Sequence, residues 1–192
     1  MFWIKRKFEL KKIRNSIINS SNLLEKNKPT ILDEKTVKSI NCYAYSLGIM
    51  YNGERGTHYS PGYTTNKKYN GISPEELMRY IELDLKNLRI SFRRIELKEK
   101  FELDESEYLI KVFFTPQNSR MARGDFHLIR QDRKTQKWFH KMGWNNQPCL
   151  TQLDCDYKKK HLGQEPDRIT TRENDGFSFV YLPVCYLAIT EV

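Results

Sequence analysis

Three residues carry side chains that together could perform nucleophilic catalysis: Cys42, His127 and His140. A cysteine sulfur can attack a carbonyl carbon, while an imidazole takes the thiol proton and later returns it to a leaving amine. A second polar side chain must hold the other nitrogen of that imidazole, so that the correct tautomer faces the sulfur. Taken in chain order, the three residues match the roles of nucleophile, base and orienting residue.

Cys42 is placed where a helix should begin. Asn41 is of a residue type that caps helix N-termini, and no proline or glycine follows before Gly48. The unpaired N–H groups at such an end favour negative charge, so we expect a lowered pKa for the thiol. The groups that could contact substrate, or join the Cys42 N–H as a second oxyanion donor, are Asn41, Tyr43, Tyr45 and the loop at 51–71.

The two histidines of the trio lie on consecutive predicted strands. A turn-rich segment separates Phe126–Arg130 from Lys137–Lys141, which is typical of a hairpin that would bring His127 and His140 side by side. Asp125 is a rival orienting residue or a group at the cleft entrance, because residues two apart in a strand share a face. We favour His140 as the orienting residue.

Helical patterns dominate the first half of the chain and strand patterns the second. Apolar residues recur at helical spacing across 4–26, and Ser73 with Glu76 forms a capping box ahead of an apolar stripe. The predicted strands cover 92–97, 108–114, 126–130, 137–141 and 177–189, the last broken at Pro183. This order predicts an α+β fold in which N-terminal helices pack on a mainly antiparallel sheet.

Composition limits the class of protein. The 192 residues, 39% of them hydrophobic, suffice for one domain with a sizeable core. The formal net charge of +9 favours acidic partners such as nucleic acid, an anionic lipid surface or an acidic polymer. No apolar run has the length of a transmembrane segment or the form of a secretory signal, so we expect a protein that is cytoplasmic as synthesised.

The chain has four cysteines, and without an export signal we expect reduced thiols. A zinc site can be written from Cys149, Cys155, His161 and Cys185, but its spacing is unlike that of known zinc sites. His58 falls in the long polar loop, and His161 follows a run of lysines. We therefore predict neither a metal nor a cofactor.

The motifs around the trio resemble those of the NlpC-type branch of the papain-like cysteine hydrolases. That branch has a cysteine at a helix start, a histidine on a strand and then a third polar residue, often histidine. Asn-Cys-Tyr-Ala-Tyr, His-Leu-Ile-Arg-Gln-Asp and Trp-Phe-His-Lys-Met-Gly are also similar to a poorly characterised bacterial group related to it. The resemblance covers roughly 38–190. It implies a papain-like fold, with Cys42 as nucleophile, His127 as base and His140 as orienting residue.

We therefore predict a basic amphipathic helical extension over 1–35 and a papain-like cysteine hydrolase domain over 36–192. The expected reaction is hydrolysis of, or acyl transfer from, an amide bond through a thioester. The expected substrate is a peptide or protein amide, with peptidoglycan among the candidates, and the resemblance implies delivery by a secretion machine or release by a phage. The alternatives are a non-enzymatic binder of nucleic acid or another anionic surface, and a papain-like scaffold without activity.

Overall fold

The fold is α+β with a mainly antiparallel sheet, as the order of the sequence patterns predicts. The computed structural model describes residues 2–17, 24–25, 28–50, 59–65, 69–71, 73–118, 121, 123–143, 146–151, 163–172 and 178–191. Within these ranges, every strand pair is antiparallel. None of the helices in the same ranges has the length and apolarity that crossing a membrane requires.

Three of the four helices among the described residues begin at a side chain that satisfies an N–H group of the first turn. The four are α1 (Phe2–Asn15), α2 (Glu34–Ser39), α3 (Cys42–Ser46) and α4 (Pro74–Leu88). Asp33, Asn41 and Ser73 each precede a helix and accept a hydrogen bond from a backbone N–H of its first turn. The predicted caps at Asn41 and Ser73 are thus confirmed. The sequence pattern does not predict helix α2, because a helix of six residues with one apolar side chain shows no hydrophobic period.

The strands of the main sheet lie between residues 92 and 190. The strands are β1 (Leu24–Glu25), β2 (Lys28–Pro29), β3 (Phe92–Ile95), β4 (Glu107–Thr115), β5 (Asp125–Gln131), β6 (Trp138–Lys141), β7 (Pro148–Leu150), β8 (Ile169–Arg172) and β9 (Ser178–Thr190). Among the described residues, β1 and β2 form a separate ribbon, and the other strands follow the order β3-β9-β4-β5-β6-β7, with β8 beside β9. Strand β4 is buried along its whole length, because it lies in the middle of this sheet.

The two faces of the sheet pack against different layers. Leu128 and Phe139 belong to a core shared with α3 and α4. Their chain neighbours Ile129 and Trp138 belong to a second cluster, together with Tyr181. Because side chains alternate along a strand, successive residues of β5 and β6 therefore face different layers.

Helix α1 ends at Asn15, so the helix predicted over 4–26 is wrong at Ser16 and Ile17 and in β1, while the rest of that stretch lies outside the described residues. The N–H and the hydroxyl of Ser16 both donate to the carbonyl of Ile13, which closes the last turn. Ile17 then pairs with Ile49 in an isolated bridge. Ile13 itself is buried in the core that includes α4, so the helix packs on the rest of the chain.

Strand β9 continues through Pro183, where the sequence analysis predicts a break. The pairing with β4 shifts at this point, because Val112 pairs with Cys185 whereas Phe113 pairs with Pro183. Val184 is the extra residue of the resulting bulge. A bulge is a position at which a sheet tolerates proline, so the predicted break is wrong.

Candidate active site

Helix α3 presents Cys42 as its first residue. Both ends of the Asn41 carboxamide are bonded: its Oδ1 accepts from the N–H of Ala44 at 3.1 Å, and its Nδ2 donates to the carbonyl of Tyr59. The helix ends after five residues, ahead of Gly48, which adopts a left-handed φ of 70°. The structure therefore places Asn41 as a cap and as an anchor for the segment 59–65.

The side chains of α3 are buried, and Cys42 is 6% exposed. The ring of Tyr43 meets Phe126 edge-on, with 6.3 Å between the centroids. Its hydroxyl donates to Oδ2 of Asp84 on α4 at 2.8 Å. The Tyr43 side chain, a candidate for contacting substrate, is thus directed into the core between α3, α4 and the sheet.

Strands β5 and β6 are joined over only part of their length. Within the described residues, their paired positions farthest from the connecting turn are Arg130 and Phe139. Beyond that pair, β5 is hydrogen-bonded to β4, and β6 to β7. We call the opening between residues 125–129 of β5 and 140–141 of β6 the fork.

His127 and His140 meet in the fork. Nε2 of His127 and Nδ1 of His140 are 2.8 Å apart, and the two rings are nearly perpendicular, at 81°. Both side chains are buried, with 5% and 8% of their surface exposed. The contact uses Nε2 of His127, so Nδ1 is the nitrogen that can face another group.

Asp125 has a different partner. Its Oδ2 accepts a hydrogen bond from the hydroxyl of Tyr181 at 2.8 Å. It shares a face of β5 with His127, two residues away. The structure therefore brings His140 to the His127 ring and ties Asp125 to β9.

The sulfur of Cys42 lies against the same stretch of β5, on the α3 side of the sheet. The backbone N–H groups of Leu128 and Tyr43 are positioned to hydrogen bond the sulfur and favour its ionised form. The N–H of Leu128 belongs to the peptide bond that follows His127, but the sulfur lies on the α3 face of this peptide unit, whereas the His127 ring lies on the other face, 6.2 Å from the ring of Tyr181. Among the described residues the hydrogen-bond partner of the His127 ring is His140, and the thiol is not bonded to it.

Burial decides the protonation state of the thiol. It raises the pKa of Cys42 to about 12, and the carboxylate of Asp125 acts in the same direction. This rise in the pKa is opposed, but not reversed, by the N–H groups of Leu128 and Tyr43 and by the ammonium of Lys141. The prediction of a lowered thiol pKa is therefore wrong, because the start of a five-residue helix does not offset the loss of hydration.

Burial also keeps the two imidazoles neutral. It lowers the pKa of His140 to about 4, and it lowers the pKa of His127 well below its usual range, with His140 as a second cause. At neutral pH the resting site therefore holds a protonated thiol and two neutral rings. If Nε2 of His127 donates to Nδ1 of His140, the lone pair on Nδ1 of His127 is left to accept a proton.

Asp84 is a supporting residue that the sequence analysis missed. Its carboxylate accepts hydrogen bonds from the Tyr43 hydroxyl, the N–H of Gly62, and the N–H and hydroxyl of Thr64. It thereby holds the segment 59–65 against α3 and α4. The sequence feature that could have identified Asp84 is its position in the otherwise apolar stripe of α4, where a carboxylate is buried.

Lys141 is a second residue that the sequence analysis missed. It is fully buried at the end of β6, and its Nζ donates to the carbonyl of Gly143 at 2.7 Å. Burial lowers its pKa to about 8, while Cys42 acts to raise it. The sequence feature that could have identified Lys141 is its position two residues after Phe139, on the inward face of a predicted strand.

Three residues weighed in the sequence analysis, His58, Cys155 and His161, lie outside the described residues. Within the described ranges, no group of three or more His, Cys, Asp or Glu side chains is arranged to hold a metal ion. No protein-family model, no curated protein and no solved structure matches this chain.

Proposed function

We propose that the protein is a cysteine-dependent amide hydrolase or acyl-transfer enzyme of papain-like architecture. In this proposal Cys42 is the nucleophile, His127 is the base and His140 is the orienting residue. The observation that carries it is the 2.8 Å contact between Nε2 of His127 and Nδ1 of His140, on the other face of the peptide unit against which the Cys42 sulfur lies. Burying two imidazoles and a thiol together perturbs all three pKa values, and such clusters are typical of catalytic sites.

The first half of the reaction forms a thioester on Cys42. The thiol proton passes to Nδ1 of His127, the sulfur bonds to the carbonyl carbon of the amide, and the carbonyl π electrons move onto its oxygen. When the intermediate collapses, the C–N bond breaks and His127 returns the proton to the leaving amine. The charge that develops on the sulfur is stabilised by the N–H groups of Leu128 and Tyr43.

The second half releases the acyl group. Water, or an amine in the acyl-transfer case, attacks the thioester carbon and gives its proton to His127. The C–S bond then breaks, and the same proton returns to the sulfur, which restores the thiol. The other product is a carboxylic acid or a new amide.

In the resting site of this proposal, His140 accepts a hydrogen bond from Nε2 of His127. Its lowered pKa keeps it neutral, and in the tautomer that carries the proton on Nε2 its Nδ1 is the acceptor of this bond. The proposal requires Nδ1 of His127 to turn toward the sulfur when substrate enters. Because the ring and the sulfur lie on opposite faces of β5, this movement has to pass through the fork, where no ladder pair joins the described residues of β5 and β6, while His127 stays paired with Phe113 of β4.

Trapping the acyl-enzyme tests the proposal without knowledge of the natural substrate. The protein is incubated with the p-nitrophenyl ester of an N-acetylated amino acid, quenched with acid, and analysed by peptide mass spectrometry. We expect the acyl group on Cys42, no adduct in Cys42→Ala, and formation slower by roughly a hundredfold or more in His127→Ala. The matched control is Cys149→Ala, which removes a half-buried thiol on β7 and should acylate normally. Equal acylation of Cys42 in the wild type and in His127→Ala would refute the proposed base.

A further inference from the structure

Helix α1 carries much of the positive charge of the chain. Its sequence, Phe2–Asn15, contains six lysine and arginine residues and one glutamate, so it accounts for five of the nine net positive charges. The carboxylate of that glutamate, Glu9, accepts a hydrogen bond from the hydroxyl of Tyr63 at 2.6 Å. The acidic side chain of the helix is therefore held by the segment 59–65.

One side of α1 packs on the protein. Ile13 is completely buried in the core that includes α4, and Leu10 packs against the same core. Residues three apart lie on one side of a helix, so Leu10 and Ile13 define an inner side. The helix therefore rests with its flank, and not with one end, against the rest of the chain.

The opposite side of α1 is exposed and basic. Its exposed residues are Lys7, Phe8, Lys11, Lys12 and Asn15. At about 3.6 residues per turn they fall within an arc of about 140°, on the side away from the inner residues. Within the described ranges, no carboxylate forms an ion pair with any of the three lysines. We call these five residues the basic face.

Phe8 adds an apolar group to the basic face. Its side chain is 61% exposed, and Nζ of Lys12 lies 4.9 Å from the centroid of its ring. A single exposed apolar side chain is ordinary on a protein surface, but one flanked by lysines has the chemistry of a membrane interface. There the ring can enter the boundary of the acyl chains while the ammonium groups stay at the headgroup phosphates.

The shape of the basic face favours a bilayer over a nucleic acid. A DNA duplex receives a helix inside its major groove, where the groove walls surround it. Helix α1 has its inner side covered by its own protein, so it can offer a partner an outer arc, which suits a flat surface. The exposed cations of this arc are lysines, which meet phosphates as point charges and lack the planar fork with which arginine reads bases.

We propose that the basic face of α1 docks the protein on an anionic lipid bilayer. Lys7, Lys11 and Lys12 contact the headgroup phosphates, and Phe8 enters the outer edge of the acyl region. The binding is weak and reversible, because a few lysines and one ring supply far less than a transmembrane helix. It requires neither the thiol nor the histidines, so it is independent of the proposed function.

The test is flotation of the full chain with vesicles, from which the bound fraction gives a partition coefficient. Vesicles of phosphatidylcholine and phosphatidylglycerol should bind the protein, whereas vesicles of phosphatidylcholine alone should leave it in solution. Raising the salt from about 0.1 M to about 1 M should release most of the protein, because the screening length falls to about 3 Å. No binding to the anionic vesicles at low salt, or equal binding to both kinds, would overturn the inference.

Substitution of the lysines tests whether the basic face makes the contact. The triple variant Lys7→Gln, Lys11→Gln, Lys12→Gln should lower the partition coefficient roughly a hundredfold, and each single substitution roughly fivefold. Glutamine is a good helix former, so α1 should persist. The single substitutions carry the test if the triple variant does not fold.

A charge-matched control separates the basic face from the net charge. The triple variant Lys35→Gln, Lys98→Gln, Lys100→Gln removes the same charge from exposed positions outside α1. It should bind anionic vesicles almost as the wild type does. Equal losses in the two triple variants would overturn the inference, because binding would then follow the total charge and not the basic face.

Phe8→Ala distinguishes a bilayer from other polyanions. It should lower the partition onto anionic vesicles roughly tenfold and leave the affinity for duplex DNA unchanged. Vesicle binding that ignores Phe8→Ala would overturn the insertion of the ring. Tighter binding to duplex DNA than to the vesicles, lost in the triple variant of α1, would assign the basic face to a nucleic acid and overturn the proposal.

Discussion

Replacing His140 with asparagine should make the fold less sensitive to mild acid. In the wild type the ring is buried and neutral, and its Nδ1 is 2.8 Å from Nε2 of His127. The side-chain oxygen of asparagine can stand near the position of Nδ1, so the hydrogen bond can persist. Asparagine gains no proton in the acid range. The variant therefore separates the acid sensitivity of the ring from its hydrogen bond.

The magnitude follows from the burial of the ring, which lowers the pKa of His140 from 6.5 to about 4. As the pH falls below 6.5, the unfolded chain takes up a proton that the folded chain does not. The free energy of unfolding therefore decreases, and the loss is complete once the pH has passed through about 4. This lowering corresponds to about 3 kcal/mol, of which about 2 kcal/mol is lost between about pH 7 and about pH 5.

Urea unfolding of the wild type and of His140→Asn, followed by tryptophan fluorescence at both pH values, measures this difference. The wild type should lose about 2 kcal/mol more than the variant on going to the lower pH. A constant penalty from the substitution cancels, because each protein is compared with itself. The same loss in both proteins would refute the reasoning, since it would mean that the His140 ring does not stay neutral in the fold.

Two further substitutions test how the site is held. Gly124→Ala, just before β5, would place a Cβ 2.7 Å from the ring of Phe114. We expect the free energy of unfolding to fall by about 1–3 kcal/mol, measured by thermal unfolding. An unchanged unfolding midpoint would contradict the close approach. Asp84→Ala removes the acceptor of four hydrogen bonds from α3 and the segment 59–65, and urea unfolding should show a loss of about 3 kcal/mol or more. Lys86→Ala, exposed on the same helix, is its control and should change stability by less than about 0.5 kcal/mol.

The features that the sequence predicts well are those set by near neighbours in the chain. Asn41 and Ser73 cap helices because each bonds an N–H three residues on. The hairpin of β5 and β6 is of the same kind, and it is what places the rings of His127 and His140 together. These patterns could be read without knowledge of the rest of the fold.

The features that the sequence could not predict depend on distant partners. The thiol pKa of Cys42 is set by burial under segments far away in the chain, and that burial outweighs the local effect of the helix start. The path of β9 through Pro183 depends on a register shift against β4. The burial of Lys141 depends on α3, which covers the face of the sheet on which Lys141 lies. Local pattern carries no information about any of these three.

The buried cations reduce the number of positive charges that the protein can present to a partner. Lys111, Arg130 and Lys141 are 3%, 0% and 0% exposed, so none of them can touch a phosphate group of a nucleic acid. Binding of a polyanion gains its free energy from counterions released where lysine and arginine meet phosphates directly. The formal charge of +9 therefore overstates the number of such contacts available. Any affinity of this protein for nucleic acid should consequently fall less steeply with salt than its sequence suggests.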